Sequence, residues 1–145
     1  MSGVGSTEPS KSEGGGFAAA EAGNSQALVE QAEAVAQKAY APYSKYFVGA
    51  VVLMTDGTEF TGANVENAAY PLGICAERSA IAKAASEGLK PGDFAAIAIT
   101  ASPCGGCRQW IHEWRFDRVY FRRADGTVAE YAADDLLPDT WDLPE

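Results

Sequence analysis

Three cysteines and one glutamate set the chemistry this sequence can do. Cys75-Ala76-Glu77-Arg78 and Pro103-Cys104-Gly105-Gly106-Cys107-Arg108-Gln109 hold every cysteine of the chain. Three thiols cannot all pair within one chain, so a Cys-x-x-Cys with a third Cys upstream reads as a metal site sooner than as disulfides. If Cys104 opens a helix, Cys107 lies three positions on, nearly on the same face, and both thiolates can point at one ion. Cys75 is expected at the start of another helix, where free amide groups and the helix dipole favour a thiolate. Two helix starts facing each other would hold a tetrahedral zinc ion through three protein ligands. The fourth position then stays open, which separates a catalytic zinc from a structural one.

Glu77 decides what such an ion could do. Positions two apart on a helix point to opposite sides, so Cys75 and Glu77 can share a site only if Cys75 is the helix cap. A carboxylate there can take a proton from a water and pass it to a leaving amine. Two blander readings of the cysteines stay open: buried thiols, or a structural zinc with a fourth ligand. His112 is the single histidine. It follows Cys107 by five residues, roughly 140° around the helix, so it is expected to be a surface or packing residue. Taken alone, Glu77 and Arg78 would read as a solvated helix face.

The elements that must position these groups follow from hydrophobic period and turn chemistry. Residues 1–24, rich in Gly, Ser, Ala and Glu, are expected to form a disordered tail, and residues 25–145 the single folded domain. Ala27, Leu28, Ala32, Val35, Ala36 and Ala39 predict a packing helix that ends before Pro42. Residues 47–54 and 59–65 read as strands joined by a turn at Asp56-Gly57. Helices are expected over 75–85 and 104–114. The apolar run 94–100 reads as a strand buried on both faces, and 118–122 and 127–131 as the last strands, before a helical turn at 134–137. This order predicts an α/β fold, a mixed five-stranded sheet covered by helices.

Composition excludes other classes. At 145 residues and 47% hydrophobic content the chain suits one domain with a real core. Its net charge of −9, from 20 acids and 11 bases, opposes a polyanionic partner but not an uncharged nucleoside. No run approaches the roughly 18 apolar residues of a membrane span. No basic region followed by an apolar block marks a secretory signal, so a cytoplasmic location is expected.

From about Ala39 to Trp141 the chain resembles the small, three-cysteine cytidine deaminases. Besides the two cysteine blocks, the resemblance rests on Tyr43-Ser44, Val48-Gly49-Ala50, Leu136-Leu137-Pro138 and the run Gly62-Ala63-Asn64-Val65-Glu66-Asn67-Ala68-Ala69-Tyr70-Pro71. It implies a three-layer αβα sandwich, a homotetramer with active sites shared between subunits, and one zinc per subunit. The implied reaction is hydrolysis of cytidine and 2′-deoxycytidine to the uridine forms and ammonia, a step of pyrimidine salvage. Cys75, Cys104 and Cys107 would bind the zinc. Glu77 would move protons between water, the base N3 and the departing ammonia, the general chemistry of zinc nucleobase deaminases. Arg78 would donate to the thiolates, whose charge exceeds that of a divalent ion.

The same resemblance gives Asn64 and Glu66 the ribose, with Glu66 accepting from the 3′-hydroxyl; residues two apart in a strand share a face. Ala76 would touch the substrate. Tyr46 falls where family members stack the pyrimidine on Phe, and it keeps the flat ring. Trp141 resembles a C-terminal aromatic that reaches a neighbouring subunit's site, although as a bare feature it reads as a lid on its own core. One departure from the family is the direct link Thr100-Ala101-Ser102, which changes the backbone expected to receive the base's amino group. The alternatives are a deaminase of another cytosine nucleoside such as blasticidin S, and a structural zinc or nucleic-acid-binding module. The Asn64 and Glu66 pair argues against the first; acidic charge and Glu77 argue against the second.

Overall fold

The computed structural model describes residues 15–144, with side chains from residue 24 onward. The rest of the expected tail, 1–14, lies outside the described residues. The first helix, α1 (Gly15–Ala36), begins ten residues before position 25 and so takes in the end of the expected tail. Its first turns carry Ala18-Ala19-Ala20 and Ala22, the residue with the highest helix propensity, and need no apolar stripe to be helical.

A hairpin follows, β1 (Gly49–Met54) and β2 (Glu59–Ala63). Its turn is closed by the Asp56 carboxylate, which accepts from the Thr58 amide at 2.9 Å and the Thr58 hydroxyl at 2.6 Å. After a 3-10 turn at Tyr70–Leu72 come α2 (Ala76–Ser86), β3 (Phe94–Ile99), α3 (Gly105–Glu113), β4 (Arg118–Arg122) and β5 (Val128–Ala132). A last 3-10 turn, Ala133–Leu136, leads into the C-terminal arm.

The sheet order is β2-β1-β3-β4-β5. β1 runs antiparallel to β2 and β3, β3 is parallel to β4, and β5 returns antiparallel. This is the expected mixed five-stranded sheet. Period-two alternation sends Ala50, Val52, Met54, Ile97, Ile99, Val119 and Phe121 to a core shared with Ala80, Ile81 and Ala84 of α2 and Ile111 of α3. The alternate residues Val51, Ala96, Ala98 and Tyr120 pack with Leu28, Val29 and Ala32 of α1 on the other face. Every residue of β3 is buried, as its apolar run predicts. The result is an αβα sandwich.

This topology places the site. Since β2 and β3 both run antiparallel to β1, they point the same way, and their carboxyl ends lead into the segments that carry Asn64 and Cys104. Ligands of open α/β sheets bind outside the carboxyl ends of strands. One boundary differs from expectation here: β2 ends at Ala63, not at 65. The chain leaves the ladder because Glu66 N–H donates to Tyr40 O and Val65 pairs with Ile74 instead. Asn64 and Glu66 thus stand just past the strand.

Gly62 sets how closely α2 approaches the sheet. A Cβ at Gly62 would lie 2.5 Å from Ala80 N and 2.7 Å from Ala76 O, both backbone atoms. The Gly62→Ala variant is therefore expected to push the first turn of α2, with Cys75 and Glu77, off the sheet. Overpacking of this kind costs about 1–3 kcal/mol, to be read as a lower urea midpoint together with weaker zinc retention. A Cβ at Gly49 would meet Ala32 O of α1 at 2.1 Å, on the face away from the site. Gly49→Ala should then cost stability and leave the bound zinc in place.

Candidate active site

Cys75 caps α2 and Cys104 caps α3, each in extended backbone (φ −71°, ψ 155° and φ −69°, ψ 169°). An extended cap turns its side chain across the helix mouth, which lets Cys75 share a side with Glu77 two residues on. Cys107 lies one turn into α3 and is fully buried. The three sulfur atoms lie within 4.8 Å of one another, with Cys75 Sγ 4.0 Å from Cys104 Sγ. Tetrahedral zinc with bonds of about 2.3 Å separates its sulfurs by about 3.8 Å, so the donor set fits the ion in both chemistry and spacing. His112 stands apart from the cluster, with its Nε2 2.8 Å from Asp142 Oδ1 on the C-terminal arm. Among the described residues no fourth protein ligand joins the thiols.

The electrostatics favour a thiolate at Cys75 and a proton-carrying carboxyl at Glu77. A hydrogen bond from Cys107 and then the Arg78 guanidinium hold the Cys75 thiol down to about 5. Cys107 is pushed up, by that same hydrogen bond and by burial. Arg78 Nη2 donates to Cys75 Sγ at 3.1 Å, and its charge also acts on Cys107. Glu77 is 4% exposed. Burial first, and then the Cys75 thiolate beside it, hold its carboxyl above the usual range, toward the values suited to proton transfer near neutral pH.

These groups open onto a cavity of about 440 Å³, within the range of small-ligand sites. Cys75, Ala76, Glu77 and Cys104 line it, together with Asn64, Glu66, Tyr46 and Ser102. The structure thus brings together the sequence-derived candidates Cys75, Ala76, Glu77, Arg78, Cys104, Asn64, Glu66 and Tyr46, and Cys107 completes the thiol cluster behind them. Trp141 is 68% exposed and is not among the residues lining this cavity. It is no lid on its own core.

The polar pair Asn64 and Glu66 does work that sequence reasoning did not foresee. Asn64 Oδ1 accepts from Val48 N–H and Asn64 Nδ2 donates to Tyr46 O, both at 2.9 Å. One amide N–H and one lone pair remain for a ligand. The Glu66 carboxylate accepts from the backbone amides of Tyr43 and Ser44 at 3.0 and 3.1 Å, and also from the Ser44 hydroxyl. Those bonds, the Ser44 hydroxyl first, hold Glu66 below its ordinary carboxylate value, so it stays an anion and an acceptor. Ser44 Oγ in turn accepts from Tyr46 N–H at 3.0 Å, which fixes the loop bearing the Tyr46 ring. The signal for Ser44 was available: a serine two residues before its amide partner is a turn former. Arg108 is the second omission. It binds Pro103 O, Leu136 O and Ser102 Oγ at once.

Comparison with known proteins agrees with this geometry. Residues 23–123 match the family model described as the cytidine and deoxycytidylate deaminase zinc-binding region. A cytidine deaminase of Halalkalibacterium halodurans is 43% identical over 121 residues, covering 78% of this chain and 90% of that protein. A cytidine deaminase of Sporosarcina psychrophila is 41% identical over 119 residues, 77% of this chain and 86% of the other. Among solved structures, a cytidine deaminase from Burkholderia pseudomallei superposes with a TM-score of 0.75 at 45% identity, over 80% of this chain and 98% of that one. With the thiol cluster at the mouths of α2 and α3 and these matches over most of its length, the chain belongs to the zinc-dependent cytidine deaminase family.

Proposed function

We propose that this protein catalyses the hydrolytic deamination of cytidine and 2′-deoxycytidine to uridine and 2′-deoxyuridine, with release of ammonia. The observation that carries the reading is the buried Glu77 carboxyl beside three converging thiols, in the wall of a cavity also lined by Asn64 and Glu66. Cys75, Cys104 and Cys107 would hold zinc, which would supply Lewis acidity and lower the pKa of water to about 7. Glu77 takes the proton of the attacking water as its oxygen adds to C4, and protonates N3. It then takes the remaining proton from the C4 hydroxyl and delivers it to the amino group, which leaves as ammonia while the C4 carbonyl forms. Arg78 keeps the thiolate charge balanced through Cys75. Asn64 and Glu66 receive the ribose, Ala76 borders the base and Tyr46 offers its ring face.

The cavity favours a nucleoside over a nucleotide. Among its lining residues Arg78 is the sole Arg or Lys, and it is committed to Cys75; Glu66, an anion, stands at the sugar end. A phosphate there would meet like charge at Glu66, and the nearby cation Lys45 already donates to Pro42 O. Turnover is therefore expected on cytidine and 2′-deoxycytidine, and near loss on 2′-deoxycytidine monophosphate, measured as kcat/KM for each. The alternative is a deaminase of another cytosine nucleoside such as blasticidin S; turnover of blasticidin S but not of cytidine would overturn our choice.

A homotetramer with shared active sites belongs to the same proposal. Tyr46, Tyr70 and Ile74 line the cavity and stand 45–73% exposed, apolar surface of the kind that marks an interface, and Trp141 is free to reach a neighbour. A cytoplasmic role in pyrimidine salvage, without a nucleic-acid partner, completes it. Among the described residues no helix is long and apolar enough to cross a membrane.

A further inference from the structure

We propose that Arg108 is a positioning residue that fixes the Ser102 wall of the cavity and ties it to the C-terminal arm. The proposal rests on the deaminase reading above and deepens it. Arg108 follows Cys107 near the start of α3, where the positive end of a helix disfavours a cation. Its guanidinium is spent on three oxygens: Nε donates to Pro103 O at 2.9 Å, Nη1 to Leu136 O at 3.1 Å and Nη2 to Ser102 Oγ at 3.0 Å. Pro103 enters the Cys104 cap, Ser102 lines the cavity, and Leu136 ends the last 3-10 turn. A planar fork reaches acceptors in three directions; the single nitrogen of lysine does not.

The arm is held by α3 at a second place, where His112 meets Asp142. Arg108 therefore joins the link before the metal-binding cap to the start of the segment that bears Trp141. Any swing of Ser102-Pro103 would move both the Cys104 cap and the wall meant for the base's amino group. That link is the short stretch Thr100-Ala101-Ser102, where few residues are available to stiffen it. Arg108 acts on substrate binding through Ser102, without touching substrate.

Zinc content, kcat and KM on cytidine should be measured for Arg108→Gln, Arg108→Lys, Ser102→Ala and the double variant Arg108→Gln/Ser102→Ala. Each is expected to carry one zinc per chain. Loss of a partner that orients a metal site costs on the order of 10- to 100-fold in activity, and for Arg108→Gln it should appear in kcat/KM mainly as a raised KM. Arg108→Lys should recover little of it, and Ser102→Ala should show part of it. The double variant should be no worse than Arg108→Gln, since both changes remove one interaction. Additive losses, wild-type kinetics in Arg108→Lys, or zinc loss in Arg108→Gln with an unchanged KM in Ser102→Ala would each overturn the proposal. If Arg108→Gln fails to fold, a wild-type KM in Ser102→Ala overturns it. A zinc-loaded wild type inactive on cytidine sinks the deaminase reading and this inference together, whereas an active wild type with indifferent variants sinks the inference alone.

Discussion

The Glu77→Gln variant is expected to bind zinc with wild-type stoichiometry and to lose on the order of 10²- to 10⁴-fold in kcat, the usual contribution of a placed proton carrier. Glutamine keeps the volume and the hydrogen-bonding end of the side chain but cannot carry one proton of water to N3 and the other to the amine. The fold should not suffer. Burial raises the Glu77 carboxyl above its ordinary range, so in the metal-free protein the native state binds more protons than the unfolded one between those two values. Native stability falls as pH rises through that window. The neutral amide has no such slope, and the variant should be at least as stable as wild type at neutral pH in urea unfolding. An unchanged kcat in a zinc-loaded variant would remove Glu77 from catalysis.

Cys104→Ala is expected to lose zinc and activity together. Two thiolates remain after the change, and Cys75 and Cys107 alone cannot hold a site built for three protein ligands. Cys104 is a cleaner probe than Cys107. It is exposed at the mouth of α3 and its side chain makes no capping hydrogen bond, so its loss costs the helix little. Cys107 is fully buried, and truncating it would add a cavity to the loss of a ligand. Elemental analysis beside circular dichroism separates the effects: a folded, zinc-free, inactive protein is expected. Full metal retention would contradict the ligand assignment.

The convergence of the three thiols and Glu77 was readable from spacing because few geometries satisfy it. Cys75 and Glu77 are two apart, and only a cap at Cys75 lets them converge, which is the backbone found. The buried strand 94–99 announced itself by an apolar run, and the Asp56-Gly57 turn by residues suited to its shape. The surroundings of Asn64 and Glu66 were less legible. The hydrogen bonds of Asn64 to residues 46 and 48 span 18 and 16 positions, and no local period encodes a contact across that distance. Arg108 was hidden by its setting inside a metal motif, although a cation near the start of a helix is a local conflict that asks for a tertiary cause. At α1 the alanine run extends the helix into what low apolar content alone reads as tail.

The most direct test follows absorbance on cytidine with the purified protein, as isolated, after zinc removal by a chelator, and after zinc is restored. The expected result is conversion of cytidine to uridine with equimolar ammonia, loss of that activity as zinc leaves, and its return when zinc is added back. Undiminished turnover in protein shown by elemental analysis to be zinc-free, or no turnover by protein carrying one zinc per chain, would contradict the account.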